Sequence, residues 1–503
     1  LLMNLILLID SPLDYFFTLM TIFLSLMSIL STLLIYGGIR NKIKYPIVVD
    51  FVAFLTTIDI CLWNLLPAFL RIFSGGKWEA EQNISSVEIL YVYTLEFISL
   101  LFFYLSISVV FRIRNLNFCY LRLSLLKRII RSNNIQILNT YSKYSSRFRR
   151  CYDLFFILII TSGLYLAINR IFGISATIIP VLDWFLIHVI NNSFSILLLH
   201  YVFVSKLYMK VITQIISFSA LMFITIIGIS GGSHGNIVAP FIYIIFYYIF
   251  HNKHQALLYV GVLSMVFLLF FSQQMHQLRS YQTAYNTIPL TEVYKLLYSF
   301  EDSPVSDIYT ANRNFLDKVE WRFGENSRKS VGYIRMYDDG ESPSYMPLIN
   351  SLYLLPRNFY KDKPVPGSVD GDGLTIGMRL IHNKIEGTKW NMSGFFTGLH
   401  SFWEYGFTGL IVTSILIGLY SAAVIYFCGN LIYLGLPFII VLHDTWWAMP
   451  KLWSSEVVIQ FTRIVIPFLI VWYIYKYIYI IIKKTFKQLL KLGRPKWTPS
   501  QGQ

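Results

Sequence analysis

Residues 88–111 read EILYVYTLEFISLLFFYLSISVVF, and residues 112–150, which follow directly, carry ten lysines and arginines and no acid. A helix needs about 20 predominantly apolar residues to cross a bilayer. Lysine and arginine in the connections between spans mark the cytoplasmic side. The stretch therefore predicts a membrane-spanning helix whose C-terminal end faces the cytoplasm, with the basic loop 112–150 held on that side.

Similar apolar runs occur on both sides of this stretch. The chain has 503 residues, of which 55% are hydrophobic and only 14% are charged, which is typical of membrane proteins with many spans. The sequence predicts an all-α fold of about 11–12 transmembrane helices. Eleven spans are placed near 15–38, 47–72, 88–111, 153–172, 184–205, 211–229, 237–251, 256–274, 405–428, 430–449 and 457–482.

A long polar insert separates the last three of these spans from the others. Residues 276–403 contain 14 lysines or arginines and 14 acids, so the net charge of +15 lies mostly beside the spans. That distribution reflects membrane orientation and excludes a nucleic-acid groove. Counting spans from the basic loop places the insert outside the cytoplasm. Three regions follow: the N-terminal bundle 1–275, the loop domain 276–404, and the C-terminal helices with a basic cytoplasmic tail, 405–503.

The insert itself is predicted to be mostly helical and irregular. Helical spacing occurs in Thr291–Phe300 and Asn312–Phe323, and Asp338–Ser344 is predicted as a polar turn. Leu348–Leu355 is apolar, and we expect it to return toward the membrane. A Pro/Gly-rich loop begins at Lys363, and Leu374–Ile385 is amphipathic.

Cations of the insert are candidate phosphate ligands, because the arginine fork matches a pair of phosphate oxygens. Arg357 and Lys363 flank a proline-bounded turn, which is a rigid way to present positive charge. The alternative is that the cations are ordinary surface charges paired with the 14 acids. The set comprises Arg279, Arg313, Arg322, Arg328, Arg335, Arg357, Lys361, Lys363 and Arg379.

Few side chains qualify as a proton acceptor near the predicted membrane surface. His400 and Glu404 are four residues apart at the start of the ninth predicted span, so they share one face of a helix. His234 lies in a glycine-rich loop, Gly231-Gly-Ser-His-Gly. The alternative for each histidine is a structural, hydrogen-bonded group. Asp59 and Glu96 lie within spans, where charge is costly and normally paired inside the bundle.

Three motifs resemble the Wzy-type polymerases of O-antigen and capsule repeat units. They are Pro356–Arg357 within Leu354-Leu-Pro-Arg-Asn-Phe-Tyr-Lys-Asp-Lys-Pro, Lys363–Pro364, and Tyr405–Gly406 with Gly409 at the start of a span. Ser230-Gly-Gly-Ser-His-Gly-Asn is similar to a small-residue loop of that family, with His234 where the family pattern has an arginine. The layout of spans and insert is similar over nearly the whole chain.

The resemblance implies a membrane-embedded glycosyltransferase of GT-C-like fold in the bacterial inner membrane, with the large loop periplasmic. It implies undecaprenyl-diphosphate-linked oligosaccharides as substrates, a possible Wzz-type co-polymerase as partner, and no metal, cofactor or nucleotide sugar. We expect Arg357 to stabilise the departing diphosphate and Glu404 or His400 to act as the base. We expect the remaining site residues to bind substrate, namely Arg279, Arg322, Lys363, Arg379 and His234.

Other functions remain open at the level of sequence. An O-antigen ligase has nearly the same layout but transfers glycan to lipid A core. A flippase or other transporter needs no large external domain and places charge along a central pathway, whereas few charges interrupt these spans. A mannosyl- or aminoarabinose-type transferase should carry paired acids in its first external loop, and residues 74–88 contain no tight pair.

Overall fold

The computed structural model of the protein describes residues 12–73, 84–113, 243–245, 324–343, 346, 349–354, 359–362 and 399–430, together with positions 473, 477, 480, 481 and 485. All regular elements in these ranges are helical, and none of the described residues forms a strand. We number the helices α1 (Pro12–Arg40), α2 (Ile47–Ile60), α3 (Leu66–Phe73), α4 (Ser86–Phe111), α5 (Glu325–Asp338) and α6 (His400–Asn430). A π-helical segment, Cys61–Leu65, joins α2 to α3.

Four of these stretches are long and apolar enough to cross a membrane: Leu13–Arg40, Ile47–Ile72, Ser86–Phe111 and His400–Asn430. The shortest has 26 residues, which exceeds the roughly 20 that a bilayer requires. Helices are therefore confirmed at the predicted spans 15–38, 47–72, 88–111 and 405–428. The other seven predicted spans lie outside the described residues, apart from short stretches and single positions.

Helix α4 packs against both α1 and α6. Its contacts with α6 run in register along both helices: Ser99 bonds to Ser414 at 2.7 Å, Phe103 and Ser106 face Gly418, and the ring of Phe111 lies 6.4 Å from that of Tyr426. The two helices are therefore parallel. Small buried residues line this side of α6 at a spacing of four, at Ser414, Gly418 and Ala422, as is common where membrane helices approach closely.

The bundle consequently has two distinct ends. At one end Tyr45 donates its backbone N–H to the carbonyl of Gly429 at 2.8 Å, and Gly38 faces Ile113. We call this the basic end, because the basic loop begins at Arg112. At the opposite end lie the start of α4, the start of α6 and the insert helix α5. We call this the insert end. Helix α5 thus lies at the end of the bundle opposite Arg112, where the basic loop begins in the sequence.

Helix α5 stops at the predicted polar turn. Gly340 adopts φ 73° and donates its N–H to the carbonyl of Tyr337 at 3.0 Å, while Glu341 N–H bonds to Met336 at 2.9 Å. This pair of bonds is a Schellman motif, which satisfies carbonyls at a helix C-terminus and favours glycine at that position. The turn predicted within Asp338–Ser344 is therefore confirmed over its described part. The helix itself is not predicted by the sequence pattern.

Of the other predictions for the insert, only the apolar run Leu348–Leu355 falls partly on described residues. Within the apolar run Leu348–Leu355, residues Ser351–Leu354 form a 3₁₀ turn. The predicted helices Thr291–Phe300 and Asn312–Phe323, the loop from Lys363 and the amphipathic stretch Leu374–Ile385 lie outside the described residues.

Candidate active site at the insert end

His400 and Glu404 lie together at the beginning of α6. Nδ1 of His400 is 3.6 Å from Oε1 of Glu404, and both side chains are 0% exposed. The prediction that the two residues share one helical face is confirmed. A carboxylate beside an imidazole can orient the ring once the two groups come within hydrogen-bond distance, which is the basis of acid–base pairs.

A kink at Gly406 separates this pair from the rest of α6. Gly406 has φ 65° and ψ −155°, a region of backbone conformation that is essentially restricted to glycine. A Cβ atom at this position would lie 2.5 Å from the hydroxyl oxygen of Tyr337 on α5. The glycine is therefore required by its backbone angles, and an added Cβ would also displace the Tyr337 side chain of the insert helix. Residues 400–405 form a separate short helical segment that meets α5.

Two aromatic rings close over the pair. The ring of Tyr333 on α5 lies 5.3 Å from that of His400 and stacks on Trp403 at 5.8 Å, with 25° between the planes. Trp403 packs edge-on against His400 at 5.3 Å and donates its indole N–H to the carbonyl of Glu341 at 2.7 Å. The carboxylate and imidazole are consequently shielded from water by the insert in this arrangement.

Tyr333 also contributes a hydroxyl to this buried environment. Burial raises the pKa of Tyr333, and the nearby Glu404 carboxylate raises it further. The Tyr333 hydroxyl therefore stays protonated at neutral pH, where it can donate a hydrogen bond but cannot act as a base.

An ion pair fastens α5 beside the site. Nε of Arg335 lies 2.7 Å from Oε1 of Glu88, and a second guanidinium nitrogen donates to Oε2 at 3.0 Å. Glu88 also completes a capping box with Ser85 at the N-terminus of α4, which satisfies two helix N–H groups. Of the insert cations considered as phosphate ligands, Arg335 is therefore paired with an acid, but that acid belongs to α4 and is not one of the 14 acids of the insert.

Hydrogen bonds continue from α5 into the membrane-spanning part of the bundle. Ser327 Oγ donates to the hydroxyl of Tyr93 at 3.5 Å, and Tyr93 donates to the backbone carbonyl of Asn64 at 2.9 Å. The Asn64 amide then donates to Glu96 at 2.7 Å. Asn64 lies in the π-helical segment, a distortion often found at functional sites. Glu96, noted from sequence as an intramembrane charge, is thus partnered inside the bundle.

A small cavity lies beside this chain of bonds. Its volume is about 20 Å³, which is sufficient for one water molecule. Polar residues of α1, α2, α4 and the π-helical segment line it, and Leu399 contributes an apolar wall. The polar residues are Ser25, Ser28, Asp59, Asn64, Tyr93, Glu96 and Ser99.

The remaining site residues predicted from the sequence cannot be placed in this geometry. Arg357, Arg279, Arg322, Lys363, Arg379 and His234 lie outside the described residues. The described residues nearest to them in the chain are Gly324, two residues after Arg322, and the segments 349–354 and 359–362, which flank Arg357 and precede Lys363. Among the described residues, no group of three or more His, Cys, Asp or Glu side chains is arranged to hold a metal ion.

Several contributors to the site are not predicted from the sequence, among them Tyr333, Tyr337 and the partnership of Arg335 with Glu88. The Ser85-x-x-Glu88 spacing does match a capping box and could have located the N-terminus of α4. No local pattern signals the other contacts, because they join segments far apart in the chain. Comparison with known proteins found no matching family model, no similar curated protein and no similar solved structure.

Proposed function

We propose that this protein polymerises undecaprenyl-diphosphate-linked oligosaccharide repeat units by en bloc glycosyl transfer, at the periplasmic face of the bacterial inner membrane. The observation that carries the proposal is the pair His400–Glu404, with Nδ1 and Oε1 3.6 Å apart, enclosed between a membrane-spanning helix and a helix of the insert. Its position at a bundle end fits a substrate whose lipid lies in the bilayer and whose sugars lie outside.

The proposed reaction needs a base and positive charge. A hydroxyl oxygen of the acceptor repeat unit forms a bond to the anomeric carbon of the donor glycan. The bond from that carbon to the lipid diphosphate breaks, and the diphosphate leaves with the electron pair. The hydroxyl proton passes to Glu404, or to His400 beside it. Diphosphate is a good leaving group and requires no protonation.

Positive side chains supply the charge that the diphosphate requires on departure. We assign this role to Arg357, supported by Arg279, Arg322 and Lys363, with Arg379 and His234 as further substrate-binding residues. The support for these assignments is the preference of arginine for phosphate and the resemblance described above. The mechanism uses no metal or cofactor.

The proposed reaction also requires the site to open. With both side chains fully buried, a sugar hydroxyl reaches the pair only after α5 and its Tyr333 ring move away. The ion pair of Arg335 and Glu88 is 25% and 32% exposed on its two side chains, so the bond that fastens α5 lies within reach of water and substrate. We propose that substrate binding displaces α5 from this position.

The test is a complementation experiment in a strain that lacks its own polymerase. Glu404→Gln and Arg357→Ala, each inserted at wild-type levels, should leave single-repeat glycan only. The matched control is Asp338→Asn, an exposed acid at the same end of the bundle, which should restore the normal ladder. Normal ladders from both site variants would remove the proposed site. Accumulation of long undecaprenyl-linked polymer in the absence of the protein would instead identify an O-antigen ligase.

A transporter is the second candidate, and the intramembrane cavity is the observation that favours it. Asp59 and Glu96 place two carboxyl groups along the same cavity inside the bundle, and intramembrane ionisable residues often mark transport pathways. Flipping of labelled lipid-linked oligosaccharide in proteoliposomes, without polymer formation, would support this function over polymerisation.

A further inference from the structure

The insert exposes three large apolar side chains within eleven residues. Ile349 is 72% exposed, Leu352 is 53% exposed and Phe359 is 80% exposed. The same insert has a well-buried apolar face on α5, where Val331, Tyr333 and Met336 are at most 1% exposed. The exposed cluster is therefore not explained by a lack of apolar packing in the insert as a whole. We call residues 349–354 and 359–362 the aromatic finger.

The aromatic finger is held by specific bonds. The N–H groups of Ile349 and Asn350 both donate to the carbonyl of Met346, at 3.1 and 3.0 Å, and Tyr353 N–H donates to Asn350 at 3.0 Å. The Asn350 side chain accepts from Leu352 N–H at 3.1 Å. Tyr353 stacks on Tyr360, with 6.2 Å between ring centroids and 20° between planes. Stacking joins the two parts of the finger, so its apolar side chains are presented by an ordered turn.

We propose that the aromatic finger inserts into the headgroup–acyl boundary of the bilayer that surrounds the helix bundle. The length of chain that connects the finger to the insert end supports this proposal. Glu341 is fixed at the insert end by the bond from Trp403, and the eight residues from there to Ile349 extend at most about 28 Å. This tether keeps the finger within reach of the bilayer surface at the insert end.

The amino-acid composition of the finger also supports its insertion into the bilayer. Aromatic side chains combined with a lysine are typical of the membrane–water interface, where rings lie at headgroup level and the lysine reaches the phosphates. The finger carries Tyr353, Phe359 and Tyr360, followed by the exposed Lys361. Lys361 is complementary in charge to lipid phosphate, while the exposed Asp362 beside it leaves the finger with no net charge. At the same end of the bundle, Val87 and Tyr91 of the spanning helix α4 are 55% and 45% exposed, as expected of lipid-facing positions.

The consequence rests on the proposed function. Pro356 and Arg357 lie in the chain between the two parts of the finger, three residues after Tyr353 and two before Phe359. Because Arg357 lies only a few residues from each part of the finger, insertion of both parts would keep Arg357 close to the lipid phosphates. The diphosphate of a polyprenyl-linked substrate lies at that depth. The aromatic finger would therefore set the height of the cation that receives the leaving group.

The test measures depth in the bilayer. Cysteines are introduced singly at 349, 352 and 359 after the four native cysteines are replaced by serine, and nitroxide labels are attached in lipid nanodiscs. We expect the three labels to be relaxed by oxygen far more than by a water-soluble nickel chelate. The control Asp338→Cys should show the reverse. Labels accessible to the nickel chelate, or shielded from both reagents by protein, would overturn the proposal.

A second measurement avoids replacing the native cysteines. A photoreactive benzoylphenylalanine at position 359 should form phospholipid adducts, whereas the same residue at position 338 should form few. Equal adduct yields at the two positions would overturn the proposal. The double variant Leu352→Asp, Phe359→Asp should lose the adducts formed by a probe at position 349 and shorten the polymer made in cells.

The aromatic finger and the proposed function can fail separately. Glu404→Gln should abolish polymer formation while the labels at 349, 352 and 359 keep their depth. Immersed labels in a wild-type protein that forms no polymer from lipid-linked repeat units would retain the finger and reject the polymerase. Polymer formation by a protein whose labels lie in water would support the polymerase and reject insertion of the aromatic finger.

Discussion

The guanidinium of Arg335 and the carboxylate of Glu88 form two hydrogen bonds, of 2.7 and 3.0 Å, across 247 residues of sequence. The bonds fasten the insert helix α5 to the first turn of the membrane-spanning helix α4. Tyr333, two residues earlier on α5, lies against the His400 ring. The ion pair and the cover over the candidate site therefore belong to one rigid helix, and loosening one should loosen the other.

Arg335→Ala should increase hydrogen exchange in residues 325–338 without changing exchange in the spanning part of α6. A partly exposed pair of this kind contributes about 1 kcal/mol. Glu88→Ala should cost more, because it also removes the bonds that the Glu88 carboxylate accepts from the N–H and hydroxyl of Ser85, which add about 1 kcal/mol. Hydrogen-exchange mass spectrometry in nanodiscs measures the exchange rates of both variants. Equal effects from the two substitutions would show that the capping box contributes nothing.

Access to His400 should depend on the same ion pair. Loss of about 1 kcal/mol raises the open fraction of α5 about fivefold, so Arg335→Ala should speed modification of His400 by diethylpyrocarbonate by that factor. Peptide mapping separates His400 from the other histidines of the chain. Asp338→Asn is the control and should be modified at the wild-type rate. An unchanged rate in Arg335→Ala would mean that the ion pair does not govern access to the site.

Gly406→Ala should destabilise the meeting point of α5 and α6. The backbone angles alone cost about 1–3 kcal/mol for alanine, and the new methyl group collides with the hydroxyl of Tyr337. Gly340→Ala is a matched control, since Gly340 also has positive φ but a Cβ atom added there would have no neighbouring atom within 4 Å. For the Gly406→Ala variant, the unfolding temperature in detergent should be well below that of Gly340→Ala. Adding Tyr337→Phe to Gly406→Ala should restore part of the lost stability, whereas adding it to Gly340→Ala should restore none.

Gly418→Ala should weaken the packing of α4 on α6. An added Cβ meets the side chain of Ser106 and lies 2.5 Å from the carbonyl of Phe103. Backbone cannot move aside as a flexible side chain can, so the cost should be about 1–3 kcal/mol. Leu419→Ala, at the neighbouring position exposed by 41%, serves as the control and should change the unfolding temperature little. Similar losses from the two substitutions would contradict the close approach of these helices.

Local patterns predict the described part of the fold to differing degrees. The spans 15–38 and 88–111 are recoverable because a predominantly apolar run of that length has few alternatives to a membrane helix. The apolar pattern places the start of α6 at 405, five residues late, because the kink at Gly406 lies between the apolar run and the aromatic segment that precedes it. The π-helical segment at 61–65 leaves no mark in the apolar pattern.

The candidate site is predictable only in its local part. His400 and Glu404 are one helical turn apart, so their proximity follows from sequence spacing. Helix α5 is polar in composition, and its apolar face is recognisable only once it is packed against α4 and α6. Tyr333 and Arg335 acquire their roles from segments distant in the chain, and no periodicity within α5 indicates those partners.

The most direct test of the central claim is polymer formation in vitro. Purified protein in liposomes is mixed with undecaprenyl-diphosphate-linked repeat units, with no metal or nucleotide sugar added, and the glycan products are separated by length. We expect a ladder of polymers from the wild-type protein and unchanged single repeats from Glu404→Gln. Single repeats alone from a correctly inserted wild-type protein, under conditions in which the lipid-linked substrate is intact, would contradict the proposed polymerase activity.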